Sequence, residues 1–338
     1  MTTAPTNPKR LMRLATYASA GTASVLIVIK AFAFIMTGST AMLGSLLDST
    51  LDLAASLINL FAVRYSLTEA DDEHRFGHGK AESLGALGQG AIIAGSAVFL
   101  AWESISQIMN PQPVTSGTFG IIIMLISIAL TLVLVLFQRF VVNQSGSVAI
   151  GADLLHYAGD LAMNAGVIVA LILSGVLGWH VADPIIGLLI AAWLLRGSWR
   201  IAMTAFDQLM DRELPDDERA RIKAAAVAVP GVDAVHDLRT RQSGMDTFVQ
   251  IHVELDGGMR MYQAHVIADL VEAEVQQIHP GTEVFVHLDP SGAEDFAESL
   301  GRVTSAEMEA ASMDASGHET TNADQASPDG QLKGRIGA

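Results

Sequence analysis

Six separate stretches of this chain stay apolar for about 20 residues or more, the length an α-helix needs to cross the hydrocarbon of a bilayer. They lie near residues 14–36, 41–63, 84–105, 119–140, 148–177 and 184–206. The runs are unbroken rather than alternating, so they read as helices. A soluble fold is excluded by the same token: 50% of the residues are hydrophobic and only 17% charged. Beyond about residue 207 the pattern becomes that of an ordinary amphipathic soluble domain. The expected organisation is an N-terminal cytoplasmic segment (1–11), a six-span membrane domain (12–208), a cytoplasmic metal-binding and dimerisation domain (209–290) and a disordered acidic tail (291–338). Much of the formal charge of −16 lies in the soluble segments, and the tail has the Ser, Gly, Ala and acid bias of a segment that cannot bury a core.

The connections between spans divide by charge. Lys9, Arg10 and Arg13, then Arg64, Arg75 and Lys80, then Arg139, then Arg212 all fall on one side, while the alternate loops carry no Lys or Arg. The positive-inside rule places both termini in the cytoplasm of a multi-pass inner (cytoplasmic) membrane protein. The first run is long enough to span and no small-residue cleavage site follows it, so it reads as a retained helix.

Within the spans, ionisable groups recur at one spacing. Asp48 and Asp52 lie one turn apart in "LLDSTLD", and His156 and Asp160 repeat the device in "DLLHYAGD". Each charge at the centre of a span costs about 2.5–3.5 kcal/mol on insertion scales, so four of them need a compensating partner. A divalent cation is the natural one. If the two helices face each other, three carboxylates and one imidazole form the four-ligand shell that tetrahedral zinc accepts, whereas calcium and magnesium want more oxygens. Hydrogen bonding within the bundle and a proton relay are the competing readings. With no cysteine in the chain, thiolates are excluded as ligands. Gly44, Ser45, Ala54, Ala55 and Ser56, and Ala158, Gly159 and Ala162, flank the two pairs and permit close helix approach. Asp153, Asn59, Asn164, Gln89 and Glu103 read as structural or interfacial polar groups; Lys30 either snorkels or faces the bundle.

Two further clusters lie outside the spans. The loop "EADDEHRFGHGKAES" brings Asp71, His74 and His78 into one short Gly-punctuated stretch, which suits a small metal site or a solvated loop. The soluble domain reads α-β-β-α-β. Val249, Ile251, Val253 and Leu255 alternate with Gln250, His252 and Glu254, so His252 faces away from the core. His287 and Asp289 share one face of the last strand. With His236 and His265 they supply ligands for one or two surface metal sites.

The segments "LLDSTLD", "ADDEHRFGHGKAESL", "ADLLHYAGD", "HDLRTRQSG" and "VHLDP", in this order, resemble the cation diffusion facilitator family, and most of all its bacterial zinc and iron efflux branch. The resemblance runs from the first span to about Pro290. It implies a homodimer of six-span protomers with a metallochaperone-like cytoplasmic domain, exporting divalent metal (zinc, and also cadmium, ferrous iron, cobalt or manganese) in exchange for protons. It further implies a transport site at Asp48, Asp52, His156 and Asp160, a loop site at Asp71, His74 and His78, and a cytoplasmic site at His236, His252, His265, His287 and Asp289. Zinc or another divalent transition metal is then both substrate and structural or regulatory ion. Leu288 departs from relatives that carry a polar residue there. Lys80 and Asp211 match a salt bridge between the membrane and soluble domains. Proton coupling falls to His156, Asp52 and Asp160 in an alternating-access cycle. The expectation is therefore a secondary active transporter and not an enzyme; no HExxH motif is present and the paired aspartates share one helix. A membrane-anchored metal sensor or scaffold is the alternative.

Overall fold

A computed structural model describes residues 7–38, 40–109, 118–179 and 181–291. The tail expected after residue 291 and most of the connection between the third and fourth spans lie outside the described residues.

Six long helices come first: α1 (Pro8–Thr37), α2 (Thr40–Ser66), α3 (Lys80–Met109), α4 (Thr118–Ser145), α5 (Val148–Leu177) and α6 (Ala182–Leu209). All six contain a window long and apolar enough to cross a membrane. Val28, Phe32, Ile35, Phe99, Trp102, Val133 and Trp199 are exposed on the protein surface, as lipid contact requires. The first helix starts earlier than the expected segment boundary at residue 12. Asn7 caps it by accepting from the Lys9 backbone N–H, and Pro8 fits its first turn, so Lys9, Arg10 and Arg13 lie inside α1 rather than ahead of it.

The helices are not equivalent. Helices α3 and α6 form the most extensive pair, while α5 packs against each of the other five. Close approach at α5 depends on missing side chains: a Cβ on Gly159 would stand 2.9 Å from Leu194 Cδ2, and one on Gly197 only 2.6 Å from Leu155 Cδ2. Of the small residues near the polar pairs, Gly159 thus serves the α5–α6 contact, whereas a Cβ on Gly44 would meet nothing within 4 Å.

After α6 come α7 (Asp216–Val227), β1 (Ala234–Ser243), β2 (Asp246–Leu255), α8 (Met261–Ile278) and β3 (Glu283–Pro290). The strand order is β1-β2-β3, antiparallel between the first two and parallel between the last two. Val249, Ile251, Val253, Val271, Val275 and Ile222 form the core, so both helices cover one face of the sheet. The opposite face, carrying the even-numbered residues of β2, remains free of them.

The two parts meet at the base of the bundle. Met245, at the tip of the β1–β2 hairpin, packs on a buried cluster that includes Met12, Val63, Ala86 and Val141 of the helices. Gly79 lies so close that a Cβ there would be 2.1 Å from the Ser243 carbonyl oxygen. Only glycine fits that contact.

Candidate metal centres

The α2–α5 crossing brings Asp52, His156 and Asp160 together, with one ligand atom of each within 4.8 Å of the others. His156 Nε2 lies 3.1 Å from Asp52 Oδ1 and 3.8 Å from Asp160 Oδ2. The expected four-residue convergence is only partly realised, because Asp48 stays outside this tight group and is exposed. That residue stands one helical turn, about 6 Å along the axis, from Asp52. Asp48 still interacts electrostatically with Asp52 and His156.

Below this cluster, toward the start of α5, runs a fully buried polar chain. Asp153 is 0% exposed and accepts from the side-chain amides of Gln89, at 3.2 Å, and Gln138, at 2.6 Å. The Tyr157 hydroxyl meets Ser56 Oγ at 2.7 Å, and Ser56 meets Ser19 at 3.1 Å. These bonds tie α1, α2, α3 and α4 to the helix that carries His156. Gln138, Ser19 and Tyr157 carry no sequence signal for this, since a lone polar residue in an apolar run does not reveal its partner. Asn164 bonds back to the Asp160 carbonyl, and Glu103 is exposed. Lys30, left open between two orientations, faces the bundle: its Nζ donates to Ser49 Oγ at 2.6 Å and to the Ser45 carbonyl at 3.2 Å.

At the loop between α2 and α3, Asp71, His74 and His78 gather within 4.8 Å. Asp71 lies 3.4 Å from His74 Nδ1 and 3.3 Å from His78 Nε2. The backbone N–H groups of His74 and Glu73 donate to Asp71 Oδ1, at 2.6 and 3.0 Å. Chiefly the His74 N–H holds this carboxyl below the usual carboxylate range. His78 is buried, stacked edge-on by Tyr65 at 4.5 Å, and its Nδ1 has no hydrogen-bond partner among the described residues. A rigid imidazole beside a firmly ionised carboxylate is a donor set that fits zinc.

The soluble domain aligns its histidines across the sheet: His236 on β1 is opposite His252 on β2, which is opposite His287 on β3. Asp289 Oδ2 is 2.9 Å from His252 Nδ1 and 3.5 Å from His236 Nε2. His236, His252 and Asp289 form the tight group; His287 stacks 4.5 Å from His252 and reaches Asp289 at 3.2 Å. Two carboxylates not singled out from sequence join the row. Glu254 is 3.1 Å from His236, and Asp237, turned toward His252 at 3.7 Å by a bulge with φ +42°, completes it. The bulge could not be read from spacing, although the alternation along β2 already put Glu254 on the face of His252.

His265 does not belong to this row. It sits on α8, which covers the other face of the sheet, and its side chain is 69% exposed with Asp269 at 3.8 Å. The expectation counted histidines without assigning α8 to a face. Leu288 is partly buried against the domain core, on the face opposite the histidines, and so has no part in the row within this chain.

Where the domains meet, Lys80 Nζ is 2.9 Å from Asp211 Oδ1, and Arg241 approaches the same carboxylate at 3.6 Å. Asp211 holds φ +54° directly after α6. In the same turn of α3, buried Glu82 accepts from Ser147 Oγ at 2.6 Å and from the Ala149 N–H at 3.4 Å, capping α5.

Two family models match the chain: the cation efflux transmembrane domain over residues 16–210 and the cytoplasmic domain of cation efflux proteins over 214–291. The cation-efflux pump FieF of Klebsiella pneumoniae is 48% identical over 282 residues, covering 83% of this chain and 94% of its own. FieF of Escherichia coli O1:K1 / APEC is 46% identical over 281 residues, covering 83% and 93%. A solved zinc form of CzrB aligns with 25% of this chain and 99% of its own at 31% identity, with a TM-score of 0.23. With both halves matched in order and the relatives covered almost end to end, the chain belongs to the cation efflux, or cation diffusion facilitator, family: it is a membrane transporter and not an enzyme.

Proposed function

We propose that this protein exports a divalent transition metal, zinc before cadmium, ferrous iron, cobalt or manganese, by alternating-access exchange for protons. The observation that carries the reading is the grouping of Asp52, His156 and Asp160 in the middle of two spans, within 4.8 Å of one another. Ionisable groups that deep are expensive, and a shared cation compensates all of them at once. Asp48, one turn away, is the fourth ligand, reached when the helices rock. An imidazole binds metal only without its proton, and a carboxylate likewise, so whichever of His156, Asp52 and Asp160 is protonated in the empty site gives up that proton when metal enters.

The same reading makes the loop trio Asp71, His74 and His78 and the sheet row His236, His252, His287 and Asp289 regulatory zinc sites. Metal there favours one conformation by binding it more tightly. In this reading residues 12–208 transport and residues 209–290 sense and dimerise, giving a homodimer in the bacterial inner membrane with both termini cytoplasmic. FieF of Klebsiella pneumoniae, named a cation-efflux pump, supports the direction of transport.

Flux into reconstituted vesicles, measured ion by ion across an imposed pH gradient, tests the proposal. Uptake should follow the gradient, be greatest for zinc and fall to background in Asp52→Ala. Undiminished uptake in that variant sinks the site assignment, and uptake indifferent to the pH gradient sinks the exchange.

A further inference from the structure

Lys30 carries its charge seven residues before the end of α1 at Thr37, about 10 Å along the helix axis. A lysine so placed ordinarily extends its stem toward the nearer interface. Lys30 instead turns inward, donating to Ser49 Oγ at 2.6 Å and to the Ser45 carbonyl at 3.2 Å. Those two residues flank Asp48 on α2, in the turn before Asp52. Both acceptors are uncharged groups, so they hold the ammonium without cancelling its charge. That charge acts on Asp48 and on Asp160 across the bundle. An ammonium has no lone pair and is no ligand. It is therefore a fixed cation built beside a cation-binding cluster.

Resting on the reading of that cluster as the transport site, we infer that Lys30 is a tethered competitor of the transported ion, which weakens divalent binding and thereby speeds release. A fixed positive charge repels a divalent ion twice as strongly as a single proton at the same place, so it weakens metal binding more than it weakens any one protonation. It also screens the carboxylates from one another once the metal has left. The bland alternative is that Lys30 only pins α1 to α2. The two roles differ in sign: loss of a pin loosens the ligand cluster and weakens zinc binding, whereas loss of a competitor tightens it.

The test is calorimetric titration of zinc into the full chain in detergent, with His78→Ala and His252→Ala present so that the intramembrane cluster alone reports. Adding Lys30→Met should tighten zinc binding about tenfold or more, while Lys30→Arg, which keeps the charge, should stay within about threefold of the parent. In vesicles the Met variant should show a lower KM together with a lower maximal rate, a split that general damage to the bundle does not produce. If Lys30→Met does not yield folded protein, Lys30→Gln retains a donor toward Ser49 and should tighten binding in the same way. Unchanged or weaker binding in the neutral variant, or equal tightening in Lys30→Arg, overturns the inference. Adding Asp52→Ala to the same background separates the two levels: if zinc still binds there, the transport-site reading fails, whatever Lys30 does.

Discussion

A buried carboxylate three residues into α3 shows how much one side chain can decide. Glu82 is 2% exposed and has no cationic partner within ion-pair distance among the described residues; its acceptor capacity goes to Ser147 and the first turn of α5. Glu82→Ala leaves a buried hydroxyl and a helix-terminal N–H without an acceptor, a loss of about 1–3 kcal/mol. Glu82→Gln keeps a carbonyl for Ser147 and should cost less. Thermal unfolding in detergent checks the order, and hydrogen exchange at the start of α5 should rise first in the Ala variant. Asp71 makes the opposite case, an exposed carboxylate fixed by two backbone donors. Its carboxyl titrates below the ordinary range when the loop is folded. Its stabilising effect on the loop is therefore full above the unfolded value, about 3.9, and is lost only as pH falls through the lower folded one. Carboxyl NMR of Asp71 against pH should show that depressed midpoint, and Asp71→Asn should abolish zinc protection of the loop without moving the intramembrane site.

At the scale of elements, α5 is the central piece, since it touches all five other spans and carries two of the proposed ligands, His156 and Asp160. Its seam with α6 is closed at Gly159 and Gly197, each filled by a leucine of the other helix. Gly159→Ala should separate the helices and destabilise the bundle by about 1–3 kcal/mol, as overpacking does. The readout is a lower melting temperature with a parallel fall in flux; an unaltered protein would mean that Leu194 can simply turn aside. The six spans were legible in the sequence because lipid imposes a length and an apolar composition that few other structures share. The pairing of Asp48 with Asp52 and of His156 with Asp160 was legible too, because i, i+4 spacing fixes a common helix face before any packing is known. The level at which α2 crosses α5 was not, so the sequence could not tell that Asp52, His156 and Asp160 group tightly while Asp48 stands one turn away. Nor was the side of the sheet that α8 covers, which set His265 apart. Both are properties of packing between elements, and no periodicity within one element contains them.

For the molecule as a whole, the question is what couples the soluble domain, with its proposed regulatory metal sites, to the helical bundle. Besides the packing of Met245 on the bundle and the close approach of Gly79 to Ser243, two kinds of side-chain contact join the parts. One is electrostatic: Lys80 and Asp211 at 2.9 Å, with side chains 37% and 41% exposed. Pairs that wet are worth about 0.2–1 kcal/mol and weaken in salt. The other is aromatic. Phe76, inside the loop that carries Asp71, His74 and His78, meets Phe248 of β2 edge-on at 5.7 Å and Phe285 of β3 at 6.3 Å. The Arg241 guanidinium lies 4.8 Å from the Phe76 ring and 4.6 Å from that of Phe248. Each aromatic pair contributes about 0.5–1.5 kcal/mol beyond its buried area, and an exposed cation–π contact about 0.5–1 kcal/mol. The aromatic joint therefore outweighs the charge pair, and it connects the loop cluster directly to the two strands bearing His252 and His287. Phe76→Ala should broaden the distance distribution between spin labels on α6 and β3 more than Lys80→Ala does. High salt should reproduce the smaller effect and not the larger. If Lys80→Ala proves the more disruptive, or if salt alone frees the domain, the two parts are held by charge and Phe76 is a bystander.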